Sequence, residues 1–269
     1  MNFEVVILGL IQGFTEFLPV SSSGHLALAQ IFMGTQNPPL SYDLLLHVAT
    51  TAATIIFFFF DIMGLLTQWV KGIFIKSERS SEGWNTGWAV AAGTVITGII
   101  GITLKDFAEM AVQNSLLVSV GLIFTGVILI VSSFIKTGLG RVRPIDGVFV
   151  GIAQGIAVLP GVSRSGMTII SGLTVGLGKE EAFRFSFLLS IPAILGATLI
   201  QSMEVGGWNS FVSSLPDQWY LGVIASFISG LASLVILKKI VITSRWWMFG
   251  VYCLLVGGAA LVTTYLGVW

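Results

Sequence analysis

Long apolar stretches divide the chain. Six of them approach the roughly 20 residues that a helix needs to cross the hydrocarbon core of a bilayer: 44–60, 87–104, 116–135, 185–200, 219–237 and 246–266. They are continuous and rich in Gly, Leu and Ile, unlike the alternating pattern of transmembrane strands. Two further regions are apolar but broken. One runs from 3 to 18, through Pro-Val-Ser-Ser-Ser-Gly, and on from 25 to 33; the other runs from 147 to 159, through Pro-Gly-Val-Ser-Arg-Ser-Gly, and on from 167 to 177. Each arm is about half a span. Pro, Gly and Ser break a helix, and broken backbone survives at membrane depth only when buried in protein or lining a wet cavity. The pattern predicts an all-α polytopic membrane protein, with six transmembrane helices and two re-entrant helical hairpins.

Composition agrees. Of 269 residues, 55% are hydrophobic and 10% charged, with a mean hydropathy of +0.94. Soluble domains carry about 25% charged residues, so a cytosolic enzyme and a disordered chain are both excluded. Thirteen Lys and Arg balance thirteen Asp and Glu, which leaves no bulk attraction to nucleic acid. The single cysteine, Cys253, lies in an apolar run and reads as a small lipid- or core-facing residue. The opening Met-Asn-Phe-Glu lacks the basic start of a cleavable signal peptide.

Positive charge sets the expected sidedness. Segments 61–86, 136–146, 179–184 and 238–245 hold 11 of the 13 basic residues and are expected inside. Segments 34–43, 105–115 and 201–218 hold only Lys105 and are expected outside, with both termini; Arg164 lies in the second break. Trp69, Trp84, Trp88, Trp208, Trp219, Trp246 and Trp247 fall near span ends, as interfacial aromatics do.

The two broken regions resemble each other. Gly9-Leu-Ile-Gln-Gly13 matches Gly151-Ile-Ala-Gln-Gly155, and Val20-Ser-Ser-Ser-Gly24 matches Val162-Ser-Arg-Ser-Gly166, both at an offset of 142. Asp43-Leu-Leu-Leu-His47 is similar to Ser186-Phe-Leu-Leu-Ser190. The chain thus reads as one membrane domain, 1–269, with repeats 1–135 and 136–269. Each repeat is a hairpin followed by three spans. Three is odd, so the second copy starts on the opposite side, an inverted-topology repeat whose hairpins can meet near the midplane. The copies differ where chemistry could live: Glu16 stands against Val158, and Arg164 against Ser22.

A charge within a membrane segment costs about 2.5–3.5 kcal/mol on insertion scales and is a site candidate by default. Gln12 and Glu16 share a helix face at i,i+4. His25 follows the first break. Arg164, between Ser163 and Ser165, opens a helix that carries Thr168. Arginine suits bidentate phosphate contact, and a helix N-terminus adds N–H donors. Structural roles compete at each position. Glu16 and Arg164 also read as an ion pair tying the hairpins together, Ser21, Ser22 and Ser23 as helix caps, Gln12 as a helix bridge, and His25 as a satisfied buried residue. His47 reads as a supporting residue, Asp43 and Asp61 as interfacial, and Lys179, Glu180, Glu181 and Arg184 as a solvated turn.

Gln12-x-x-x-Glu16, Pro-Val-Ser-Ser-Ser-Gly-His25 and Pro160-Gly-Val-Ser-Arg-Ser-Gly-Met-Thr168 resemble the signature of the bacterial undecaprenyl-diphosphatases of the bacitracin-resistance type, over the whole chain in length, span order and repeat. The resemblance implies removal of the terminal phosphate of undecaprenyl diphosphate, giving the monophosphate that carries cell-wall precursors. It implies a multi-pass protein of the bacterial inner membrane with a site open to the periplasm or exterior. The matched site residues are Gln12, Glu16, Ser22, His25, Ser163, Arg164, Ser165 and Thr168. Many members carry Glu where this chain has Gln12. A neutral amide is no second carboxylate ligand, so the Mg²⁺ or Ca²⁺ dependence implied by the family falls to the diphosphate itself. No organic cofactor is expected.

That substrate fixes the roles. Arg164, Ser163, Ser165 and Thr168, with Gln12, fit phosphate binding; Glu16 fits the general base. The nucleophile is Ser22 or a water activated by Glu16, and His25 fits the leaving-group acid or a phosphoryl acceptor. Expected partners are the prenyl diphosphate and bilayer lipids, with a homodimer allowed. The rival reading is a transporter or flippase of prenyl phosphate, since inverted repeats and broken helices are also transporter features.

Overall fold

A computed structural model describes residues 3–34, 40–204 and 208–267. The expected outer placement of Trp269 and part of segment 34–43 lie outside the described residues, as does the side chain of Trp208. Twelve α-helices make up the described chain, with no strand among them. The first broken region gives α1 (Phe3–Phe17) and α2 (Ser22–Phe32). Then come α3 (Leu40–Phe57), α4 (Phe59–Phe74), α5 (Glu82–Val112) and α6 (Ser115–Ser132). The second broken region gives α7 (Pro144–Ile156) and α8 (Arg164–Thr174), followed by α9 (Lys179–Glu204), the short α10 (Trp208–Ser213), α11 (Trp219–Ile242) and α12 (Trp247–Tyr265). Helices α5, α6, α9, α11 and α12 are each long and apolar enough to span a bilayer, and α3 with α4 makes a sixth span if the bent pair counts as one. The protein is a polytopic all-α membrane protein.

Each expected apolar stretch is helical, the first of them broken at Phe58, and several helices extend further than hydropathy indicates. The expected loop at 105–115 is helix α5 as far as Val112. Helix α9 runs past both ends of 185–200. The largest difference is at 61–86, read as an inner loop, where α4 leaves α3 at an angle of 75°. Its apolar Phe59, Phe60, Met63, Leu66, Val70, Ile73 and Phe74 recur at helical spacing and are exposed along one side. Asp61 and Lys71 interrupt the apolar run without interrupting the helix.

Small residues bring the first arm of each hairpin onto a span of the other half. Helix α1 packs along α11, and α7 along α5. A methyl group at Gly151 would stand 2.6 Å from the Gly93 carbonyl oxygen, and one at Gly93 2.8 Å from the Gly147 carbonyl oxygen. Only glycine permits such approach, which replaces side-chain packing with direct backbone contact. Ser233 Oγ donates to the Gly13 carbonyl at 2.9 Å, and Thr97 Oγ1 to the Gly151 carbonyl at 3.0 Å.

The hairpins open to opposite ends of the bundle. Ala27 and Leu28 of α2 pack with Val112 and Val118, at the end where Lys105 meets Glu204. The exit from α8 is held at the other end, where the Gly140 N–H donates to the Gly176 carbonyl at 3.0 Å. That second end gathers Asp61, Glu82, Arg141, Glu180, Glu181, Arg184 and Lys238, drawn from all four segments expected inside. The residues read as a solvated turn are in part a tight ionic joint: Arg184 pairs with Glu181, Glu82 and Asp61, fastening α9 to α5 and to the start of α4. Among the tryptophans, Trp247 is exposed, whereas Trp246, at the start of α12, is buried in the protein beside Leu237 and Val241.

Candidate active site

Both breaks build the same local device. After Pro19 the chain turns, and Ser21 Oγ accepts from the Gly24 N–H to cap α2; after Pro160 it turns again, and Ser163 Oγ accepts from the Gly166 N–H to cap α8. Each capping serine stands 3.3 Å from the serine two residues on, Ser23 and Ser165 respectively. The backbone differs. The first break places a left-handed residue at Ser21 (φ 70°), and the second uses Gly161 (φ 84°). A non-glycine residue held there is strained by about 1–3 kcal/mol, and such strain clusters at functional sites. The two breaks touch: Ser165 Oγ donates to the Leu18 carbonyl at 3.2 Å, and a methyl at Gly24 would lie 3.1 Å from the Gly161 Cα.

Glu16 stands at this junction and collects donors from three helices. Arg164 Nη2 reaches Oε1 at 2.5 Å. Ser22 Oγ donates to Oε2 at 2.5 Å, and Gln12 Nε2 to the same oxygen at 2.9 Å. His47 Nε2 lies 3.8 Å from that oxygen. A carboxylate accepts only, so Arg164, Ser22 and Gln12, which all donate, are suited to it. Gln12 is completely buried and Glu16 nearly so. Two buried atoms in the cluster have no partner, Arg164 Nη1 and Gln12 Oε1. Such atoms are rare in folded proteins and call for an explanation, an incoming polar group being one. The free Nη1 gives half of the guanidinium fork to a ligand while the other half holds Glu16.

The remaining residues of the sequence-derived set have other partners. Thr168 Oγ1 donates to the Arg164 carbonyl at 2.8 Å and meets Ser186 Oγ at 2.5 Å. It fixes α8 against α9 and makes no bond to Glu16. Ser163, besides capping α8, donates its N–H to Thr125 Oγ1 at 3.0 Å. His25 is turned away from Glu16. Its Nδ1 lies 2.8 Å from the Ser21 carbonyl, its Nε2 lies 2.9 Å from the Tyr252 hydroxyl, and its ring stacks on Tyr252 at 5.6 Å. Sequence reasoning gave His47 only a supporting place and did not find Tyr252. The signal for His47 was its position four residues after Asp43, on one face of a span, within the block that parallels Ser186–Ser190. Tyr252 carries no such signal, because only tertiary packing brings α12 to the hairpin.

The donor set does not fit a cation held by the protein. Glu16 is a lone carboxylate whose two oxygens are already taken, and among the described residues no three His, Cys, Asp or Glu gather as ligands. The cluster instead joins a serine hydroxyl bonded to a carboxylate with a guanidinium and two helix N-termini. That is the chemistry of a phosphoryl group, which needs a nucleophile, a base and neutralisation of charge.

Known proteins are similar to this chain along nearly all of their length. An undecaprenyl-diphosphatase of Syntrophotalea carbinolica is 40% identical over 263 residues, 96% of this chain and 97% of the relative. One of Methanosphaera stadtmanae is 38% identical, covering 98% of each chain. One of Treponema denticola is 40% identical over 260 residues, 95% of this chain and 94% of the relative. The family described as bacitracin resistance protein BacA matches residues 5–259, from within α1 to within α12, and the chain belongs to that family.

Proposed function

We propose that this protein is an undecaprenyl-diphosphatase, an integral-membrane phosphatase that removes the terminal phosphate of undecaprenyl diphosphate and returns the monophosphate as lipid carrier for cell-wall synthesis. The observation that carries the reading is the 2.5 Å bond from Ser22 Oγ to Glu16 Oε2, beneath an arginine with one free nitrogen. In this reading the prenyl tail stays in lipid and the diphosphate enters the junction of the two hairpins. Arg164 Nη1 and the N-terminus of α8 bind the terminal phosphate, and the N-terminus of α2 faces the same junction. Glu16 takes the proton of Ser22, whose oxygen attacks the terminal phosphorus. The bond to the bridging oxygen breaks, and prenyl monophosphate leaves. Water then cleaves the phosphoserine, restoring the hydroxyl and releasing inorganic phosphate. His25 aids departure by exchanging its Tyr252 bond for one to the leaving phosphate. A divalent cation would add charge neutralisation to the diphosphate, and no residue of the cluster has a free carboxylate to hold it.

The same reading places the protein in the plasma membrane with the substrate reached from the exterior, the side to which α2 opens. It also takes 1–135 and 136–269 as inverted copies. A flippase needs the anion cradle of Arg164 but has no use for a serine bonded to a carboxylate, so hydrolysis is the better account. The test is phosphate release from a prenyl diphosphate by purified protein in detergent, with and without a divalent cation. Binding without release by the wild type would support the flippase.

A further inference from the structure

Among the described residues, His47 is the one titratable side chain beside Glu16 that neither hairpin supplies. It lies two turns into α3, with 30% of its side chain exposed on the protein surface. Its Nδ1 is 2.8 Å from the Asp43 carbonyl, which can only accept, so the ring hydrogen of neutral His47 sits on Nδ1. Nε2 is then left with a lone pair, and it faces Glu16 Oε2 at 3.8 Å. That is the oxygen to which Ser22 donates. Ser22, Glu16 and His47 therefore form a row: hydroxyl, carboxylate oxygen, imidazole lone pair. The distance is longer than a hydrogen bond, but such contacts tighten when substrate is bound.

We infer that His47 is a positioning residue that takes, through Nε2, the proton which Glu16 receives from Ser22. This rests on the phosphatase reading. Once Ser22 attacks, its proton is on Glu16 and must leave before the next turnover. Arg164 is fully protonated and cannot accept it. Neutral His47 can, passing it to water from its exposed edge. The atoms balance: the serine O–H bond breaks, the Oγ–P bond forms, the bond to the bridging oxygen breaks, and the proton goes from Glu16 to His47 to solvent. Protonated His47 cannot serve. The charged groups that face it are Glu16 from α1 and Asp43 from its own helix, with Arg164 of α8 behind Glu16. Helices α9 and α11, which also pack on α3, carry Glu180, Glu181, Arg184, Lys238 and Lys239 at the far end of the bundle.

The experiment is the pH profile of phosphate release for wild type and His47→Gln, beside their thermal stability. The wild type is expected to lose activity on the acid side as His47 gains a proton. His47→Gln is expected to fold, to lose that acid limb, and to run at least about tenfold slower at its plateau, the lower range for losing a proton-transfer partner. A variant that keeps both limb and rate overturns the inference and leaves the phosphatase reading intact. Wild type that releases no phosphate overturns both. Imidazole ¹⁵N spectra give a readout independent of turnover and of the variant's folding: the His47 titration must shift between wild type and Glu16→Gln, and an unchanged titration contradicts the row.

Discussion

Arg164 of the second hairpin holds Glu16 of the first, Nη2 to Oε1 at 2.5 Å, while its other terminal nitrogen remains buried and unbonded. One side chain thus joins the two halves and keeps a donor in reserve. The ion-pair and phosphate-binding roles weighed for Arg164 are parts of one arrangement. Lysine would keep the charge but could not hold Glu16 and a phosphate with two fixed donors. Arg164→Lys is expected to lower phosphate release at least about tenfold, equivalent to ~1.4 kcal/mol of barrier. Steady-state assays at equal amounts of folded protein check this, and near-normal release would reduce Arg164 to a tether.

Ser22 is bonded to the carboxylate that would activate it. Ser22→Ala removes the nucleophile and is expected to cut turnover by about 10²-fold or more. It should leave folding intact, since the α2 cap is made by Ser21. Mass spectrometry of wild type quenched during turnover should show a phosphoryl group on the Ser22 peptide. Full activity in the alanine variant would transfer the attack to water.

Arg184 ties three carboxylates from three helices, with 23% of its side chain exposed. Removing one member of a buried pair costs about 3–5 kcal/mol, and partial exposure brings the expected loss for Arg184→Ala down to roughly 1–3 kcal/mol. Thermal unfolding in detergent measures it. The loss should shrink at high salt, because the joint faces solvent.

Sidedness is open to labelling in a Cys253→Ala background. Glu109 at the end of α5 and Ser80 before it are both exposed and lie at opposite ends of the bundle. A cysteine at 109 should react with an impermeant reagent added outside intact cells, and one at 80 only after lysis. The reverse pattern would turn the protein over in the membrane.

Five spans, with a sixth if the bent pair α3–α4 counts as one, and both breaks were legible because continuous apolar runs and Pro-Gly-Ser interruptions act locally. The pairing of Glu16 with Arg164 was legible too, because a charge stranded in apolar sequence demands a partner. Other features depend on distant packing. Helix α4 was hidden because Asp61 and Lys71 end an apolar window although the helical spacing of Phe60, Met63, Leu66 and Val70 continues. The joint around Arg184 was hidden because two of its three partners, Asp61 and Glu82, come from other helices. His25 faces Tyr252 rather than Glu16 for the same reason: nothing near position 25 records that α12 lies beside it.

Glu16→Gln tests the central claim most directly. The amide keeps the shape of the side chain and can accept from Arg164 through its single oxygen while its NH2 donates to the Ser22 hydroxyl, but it cannot take a proton. The measurement is turnover beside thermal stability and prenyl diphosphate affinity, for wild type and variant. The account predicts a folded, substrate-binding variant whose turnover falls by roughly 10²–10⁴-fold, the scale of lost general base catalysis. A folded, binding variant that hydrolyses at the wild-type rate would contradict it.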